Sequence, residues 1–508
     1  MKSEQKPWFS RLTHAELVMI VVLLFGIFLR LWNFKNTLQF LGDQGRDAMI
    51  VAQIFKEKDI VFIGPVTSTG NMYLGPLYYY FMVPFLWMTY PSPLGPAYAV
   101  ALLSIVTIWL LYRLGREIVG ERAAVFAVIF FTFSSTMVGF ARFSWNPNPA
   151  PLFSLLFIWC LYRTQKKQLV FWVGVSACVA VLMQLHYVTL LTGVVALIFW
   201  FKQLREWRSF SVALRKQFVN STLLALGVFI AFLSPLIVFD IRHHWLNLHS
   251  LQSFLATSQQ GVASMPFWQK AAKTIAETHG RSLQLFFETT IGKQRTVNTV
   301  LLVGVILSLI FLVKRKNESH RLGYQILATI YLVTICGLAL YRGSVFDHYI
   351  AFFFPVTFLL FGGILSFFSR WKAGWVVVML SFAGFFWFNI PRLPLNTLGW
   401  TIADMNRTSQ SIYQHVHPGE KYNIVLLSET KDIYGQNYRY FLTITDRPPL
   451  KMEHFGEVET LFIIDEQKIE KDVTNLPIYE IVVFPNHKPA EVYDIPGGPR
   501  ITILHKHL

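Results

Sequence analysis

Leu41-Gly42-Asp43-Gln44-Gly45-Arg46-Asp47 follows within ten residues of the first long apolar run of the chain, Leu17 to Trp32. Two aspartates and an arginine so close to the end of such a run place ionisable groups at a boundary between apolar and aqueous surroundings. Charge is costly to desolvate there and is retained where it has a partner or a task. The preceding run ends in Arg30, Trp32 and Lys35 and shows no small-residue cleavage site, so it reads as a retained signal anchor.

The rest of the chain gives the boundary its meaning. Of 508 residues, 54% are hydrophobic, 16% aromatic and only 15% charged, outside the range of ordinary globular domains. Apolar runs of spanning length occur near 14–34, 72–90, 95–113, 123–140, 149–163, 169–185, 187–201, 218–239, 298–313, 322–341, 348–369 and 373–390. The fold class is therefore an α-helical polytopic membrane protein. Cys160, Cys178 and Cys336 all lie inside apolar runs, which leaves no disulfide framework for the extramembrane parts.

The net charge of +16 is explained by sidedness. Connectors 113–122, 163–168, 202–217, 314–321 and 370–372 are strongly basic, and the positive-inside rule makes all five cytoplasmic together with the basic N-terminus. They share one side only if one early candidate fails to cross. Segment 72–90, with Gly75-Pro76, Pro84 and Tyr78-Tyr79-Tyr80, suits an interfacial or re-entrant helix. About 11 spans remain, and 35–94, 141–148, 240–297, 342–347 and everything after about Pro391 are external. The predicted location is the cytoplasmic (inner) membrane, with no nucleic-acid partner required by the charge.

Two units follow: a transmembrane domain over 1–396, with a first external loop 35–94 and a large one 240–297, and an external α/β domain over 397–508. In the first loop, Asp43, Asp47, Ile50 and Ile54 recur at helical spacing, predicting an interfacial amphipathic helix from Asp43 to Lys58. In 240–297, Trp245 to Leu255 and Pro266 to Thr290 predict two helices that could cover a cavity. In the C-terminal domain, a helical run to His415 precedes short β-rich runs at Tyr422–Leu427, Thr460–Ile464, Ile478–Phe484 and Arg500–Leu504.

Four motifs in order carry a resemblance: Asp43-Gln44 in the first external loop, Gly75-Pro76-Leu77-Tyr78-Tyr79, the short loop Ala141-Arg142-Phe143-Ser144-Trp145-Asn146, and Asp347-His348-Tyr349-Ile350 ahead of Pro355. In these the chain resembles the polyprenyl-phosphate-sugar-dependent glycosyltransferases of the C-type superfamily, which include protein O-mannosyltransferases and lipid A aminoarabinose transferases. The resemblance implies a donor lipid entering an external cavity from the bilayer and a protein, lipid or glycan acceptor arriving from outside.

The chemistry of that reaction agrees with these residues. A sugar on a lipid phosphate already has a good leaving group, so the enzyme needs a base for the acceptor and cations for the phosphate. Asp43 is the expected base, for an inverting displacement, with Asp47 a second candidate catalytic carboxylate that would bind acceptor or metal and Arg46 a candidate substrate-binding residue. Arg142 and Arg342, at the outer ends of spans where arginine is scarce, are the expected phosphate ligands. Tyr78, Tyr79, Asn146, His186, His348 and Tyr349 complete the expected substrate-binding set. A divalent cation (Mg, Mn or Zn) at Asp43 would help neutralise the departing phosphate; Gln44, where the family often has a second acidic residue, leaves metal dependence open. Each assignment has a structural rival: Asp43 as a helix N-cap, Asp47 as a solvated charge near a helix start, the arginines as headgroup anchors, the histidines and tyrosines as interfacial aromatics. Two other functional classes also fit a polytopic chain. A lipid-linked-sugar flippase or other transporter would show internal repeats and charges at mid-span, and neither is evident. A non-catalytic envelope assembly factor would act through 397–508.

Overall fold

The computed structural model describes residues 13–67, 72–256, 266–287, 310, 320–341, 345–396, 401–430, 432–469 and 472–506. Its first half is a helical array: α1 (His14–Leu31), α2 (Gly42–Lys56), α3 (Leu77–Thr89), α4 (Leu94–Ile118), α5 (Glu121–Phe133), α6 (Ser135–Ala141), α7 (Ala150–Gln165), α8 (Phe171–Leu185), α9 (Leu190–Arg205) and α10 (Val212–Arg242). Two helices of the long connector 240–297 follow, α11 (Leu246–Ala256) and α12 (Phe267–Leu283), then α13 (Arg321–Leu340), α14 (Phe354–Phe368) and α15 (Gly374–Asn389). Among the described residues seven helical stretches are long and apolar enough to cross a membrane, or eight if α5 and α6 form one broken span. The predicted run 298–313 lies outside the described residues apart from Ile310, as do 257–265, 288–297 and 342–344 of the connectors.

The most exposed of these spans is α10. An 18-residue stretch within it has a mean hydropathy of 2.5, yet Leu223, Leu224, Leu226 and Ile230 face outward. Apolar side chains turned away from the protein over such a length find their solvent in lipid. By contrast α3 is only 13 residues long and contains Pro84, so at 1.5 Å per residue it reaches about 20 Å, less than a bilayer core. The run predicted as one span over 123–140 is broken: α5 and α6 meet at 65° where Ser134 ends one helix and caps the next, accepting from the Met137 N–H.

The C-terminal domain contains α16 (Ile402–Gln414), β1 (Tyr422–Leu427), α17 (Gln436–Thr443), β2 (Thr460–Asp465), β3 (Pro489–Asp494) and β4 (Arg500–His505). The sheet order is β1-β2-β4-β3, with β1 and β2 parallel and the other two pairs antiparallel. Alternate strand residues face different cores. Ile424, Leu426, Phe462, Ile464, Ile501 and Ile503 join the core continuous with the membrane helices. Val425, Leu427, Leu461, Ile463 and Leu504 form a second, smaller one.

The β-rich run expected over Ile478–Phe484 is instead a helical turn, Tyr479–Val482. Ile481 and Phe484 are buried three residues apart while Tyr479, Val482 and Val483 are exposed, so burial there follows the helical period and overrides β propensity. β3 was not evident in the sequence. It is an exposed edge strand whose only pairing is with β4, so it has no apolar alternation to reveal it.

Candidate active site

α2 brings the quoted acidic stretch into a helix, one residue earlier than the predicted start. Leu41 precedes it in extended conformation, and its N–H donates to Gln44 Oε1 at 2.8 Å, so Gln44 closes the first turn. Within that turn Arg46 binds both aspartates. Nη1 donates to Asp43 Oδ1 at 2.8 Å, while Nε and Nη2 donate to Asp47 Oδ1 at 3.0 and 2.7 Å. The two carboxylates differ sharply in setting. Asp43 keeps 45% of its side chain exposed, whereas Asp47 has none and takes a further bond from the Tyr79 hydroxyl at 3.2 Å. Burial pushes the Asp47 carboxyl up to about 6 despite Arg46. Asp47, read from the sequence as a solvated or substrate-binding charge, is a buried partner that fixes Arg46.

Asp43 and Arg46 line a cavity of about 440 Å³. Its opposite wall comes from segments distant in sequence: the turn Trp145-Asn146-Pro147, His186 and Tyr187 between α8 and α9, Tyr341, and the 3-10 turn Asp347–Phe353 with His348 and Tyr349. Leu251 of α11 also lines it, which brings the large external loop to this cavity as expected. The aromatic groups touch one another. Trp145 lies 4.3 Å from the His348 ring, and His186 lies 4.3 Å from Tyr349 and 5.8 Å from His348, centroid to centroid. His186 accepts from the Val188 N–H through Nδ1 at 3.2 Å, and burial, with His348 adding to it, lowers its pKa to about 3. It is therefore an uncharged imidazole with its proton on Nε2. Asn146 holds its turn to the end of α8, donating to the Leu185 carbonyl at 2.6 Å.

Not every expected residue reaches this cavity. Tyr78 is buried with its hydroxyl 2.9 Å from Ser144 Oγ, tying α3 to the Trp145 turn from behind. Arg142 is the clear correction. It is 3% exposed, donates to the Leu29 carbonyl at 3.2 Å and to Thr37 Oγ1, lies over the Phe34 ring at 5.0 Å, and lines no part of the cavity. It staples the end of α1 to the loop after α6 and is not placed to meet a lipid phosphate. Arg342 lies outside the described residues.

Other residues were missed. Trp145 and Tyr341 form part of the wall, and Trp145 stood within the motif Ala141–Asn146 without being singled out. Arg281 of α12 is ion-paired with Asp347, next to His348, and nothing in its local sequence pointed there. As for a metal, no group of three ligating side chains converges among the described residues, and Asp43 and Asp47 are both engaged by Arg46. These donors do not make a divalent-cation site, and no chemical step below depends on one.

With the geometry in hand, comparison with known proteins becomes informative. Residues 75–235 match the family model described as dolichyl-phosphate-mannose-protein mannosyltransferase. No curated protein sequence matches the chain directly. Among solved structures, ArnT from Cupriavidus metallidurans bound to undecaprenyl phosphate superposes with a TM-score of 0.58 at 14% identity, covering 96% of this chain and 97% of that one. The archaeal oligosaccharyltransferase AglB from Archaeoglobus fulgidus, in complex with an inhibitory peptide and a dolichol-phosphate, gives 0.53 at 12% identity, covering 90% and 70%. At such identities the structural likeness concerns the fold. The resemblance carried by the four motifs is thus met by a family model across the stretch holding two of them and by a fold shared along nearly the whole length: the chain is a membrane protein of the C-type glycosyltransferase fold.

Proposed function

We propose that this protein transfers a monosaccharide, hexosyl or pentosyl, from a polyprenyl-phosphate carrier to an acceptor at the external face of the cytoplasmic membrane. The observation that carries this reading is the single cavity in which a solvent-accessible carboxylate, Asp43, and a cation, Arg46, face an aromatic and imidazole wall. The ArnT structure that shares the fold holds undecaprenyl phosphate, and the AglB structure holds dolichol-phosphate, which supports a donor of that class here.

In this mechanism the acceptor O–H or N–H approaches the anomeric carbon from the side of Asp43. The bond from that carbon to the phosphate oxygen breaks as the new glycosidic bond forms, the proton passes to Asp43, and polyprenyl phosphate departs. Configuration at carbon inverts. Arg46, the arginine lining the cavity, orients Asp43 and offsets the charge of the phosphate, while Trp145 and Tyr349 offer faces on which a sugar ring stacks. Tyr79 acts only through Asp47. The polyprenyl tail lies between helices in the bilayer. With the N-terminus cytoplasmic, the cavity and the C-terminal domain are external.

The test is consumption of a panel of polyprenyl-phosphate sugars by the protein in proteoliposomes, followed by mass spectrometry with envelope extract as acceptor. Wild type consumes one donor and releases polyprenyl phosphate; Asp43→Asn, equally folded, is slower by about 10²- to 10⁴-fold, the value of a positioned base. Donor flux across the bilayer without chemical change would replace this reading with transport.

A further inference from the structure

The C-terminal domain reaches the acidic turn itself. Gly42 and Gly45 are buried in α2 against the start of α17 and the turn before it. A Cβ at position 45 would lie 2.5 Å from the carbonyl carbon of Gln436 and 2.7 Å from the backbone N of Asn437. Main chain thus lies directly on main chain, and no flexible side chain stands between to yield. A Cβ at position 42 would lie 2.6 Å from Asp432 Cγ. Asp432 in turn accepts from the Gln436 N–H at 2.8 Å and so starts α17.

The seam continues along both helices. Phe40 meets the edges of Tyr440 and Phe441 at 5.8 and 5.9 Å, and Thr443 Oγ1 lies 3.5 Å from Met49 Sδ. The Tyr440 hydroxyl donates to the Pro91 carbonyl at 2.9 Å, anchoring α17 to the turn between α3 and α4 as well. Asp43 and Arg46 line the cavity from the same helical turn whose glycines are clamped by α17.

We infer that α17 is the positioning element of the active site: by docking on Gly42 and Gly45 it fixes the α2 turn that presents Asp43 and Arg46, and it stays docked through turnover. This rests on the proposed glycosyl transfer. Displacement of reacting groups by about 1 Å costs about 10²-fold in rate, so a methyl group forced into a main-chain contact is a sensitive probe.

The experiment uses the full chain in proteoliposomes. Gly45→Ala lowers kcat about 10²-fold with donor KM unchanged, while Gly139→Ala, whose Cβ meets nothing within 4 Å, matches wild type. Independently, Met49→Cys with Thr443→Cys in a Cys336→Ser background is oxidised across the seam; the cross-linked protein keeps wild-type kcat. Normal kcat in Gly45→Ala, or loss of turnover on cross-linking that reductant restores, overturns the inference. Should Gly45→Ala fail to fold, the cross-linked pair alone decides it. Absence of turnover in wild type with every donor is a separate result, and it defeats the functional reading instead.

Discussion

Arg46 and Arg142 stand in regions that look alike in the sequence, each a few residues beyond an apolar run and each in an external loop, yet they belong to different parts of the molecule. Arg46 sits among carboxylates at the wall of an open cavity. Arg142 sits among a carbonyl, a hydroxyl and a ring in a closed interior. What separates them is the supply of counter-charge. Two aspartates one helical turn apart hold Arg46 in place and leave one face of the ensemble to solvent. Around Arg142 only neutral oxygens converge, and its guanidinium joins segments of the fold. An arginine at the outer end of a span marks a boundary, and its partners decide whether it also marks a site.

The comparison can be broken by exchanging the consequences of the two positions. Arg46→Met should give the largest effect: transfer falls about 10²-fold as Asp43 loses its orientation, and the buried Asp47 loses its cation at a cost of about 2–3 kcal/mol, read from the denaturation midpoint in detergent. An active and fully stable Arg46→Met would remove the distinction. Trp145→Ala, on the cavity wall, should weaken donor use about tenfold in kcat/KM without changing stability comparably. Arg142→Met should do the reverse, costing about 1–2 kcal/mol of stability while leaving donor KM alone; a raised donor KM at wild-type stability would return Arg142 to the phosphate.

A pH dependence sharpens the Arg46 side. With its folded pKa raised to about 6 against an unfolded value of about 3.9, Asp47 carries an extra proton in the folded chain between those pH values. Its contribution to stability is therefore greatest at low pH and falls as pH rises through that window. Wild type should lose stability relative to Asp47→Asn between pH 4 and pH 6.5, and a flat difference would show that Arg46 holds the carboxylate ionised throughout.

Much of this was legible because it depends on local pattern. Runs of apolar residues locate the helices, and the acidic stretch, the tyrosine cluster, the Trp145 turn and the His348 turn each announce themselves within a few residues. The convergence of the acidic stretch, the Trp145 turn and the His348 turn on one cavity required the family resemblance, since nothing local brings His186 to Tyr349. The failures concern properties set by distant partners. Arg142 is buried because Thr37 and the Leu29 carbonyl lie beside it, and Arg281 reaches Asp347 only through packing of α12 on the helices behind. The Tyr479–Val482 turn takes its period from the core it meets. Gly42 and Gly45 could be seen, but not what lies against them.

One consequence of the shared core concerns the order in which its parts are made. Ile501 and Ile503 belong to β4, made after the membrane helices, yet they join the apolar cluster that continues into those helices. The segment around Phe40 and α2 finds its cover in residues translated some four hundred positions later. During synthesis the membrane domain is inserted with that seam open, and the apolar surface around Phe40 waits for the far end of the chain. A ribosome that stops short of Asp432 releases a protein whose membrane helices are made and whose acidic helix lacks its cover, a form that cellular surveillance can recognise by the surface it leaves exposed.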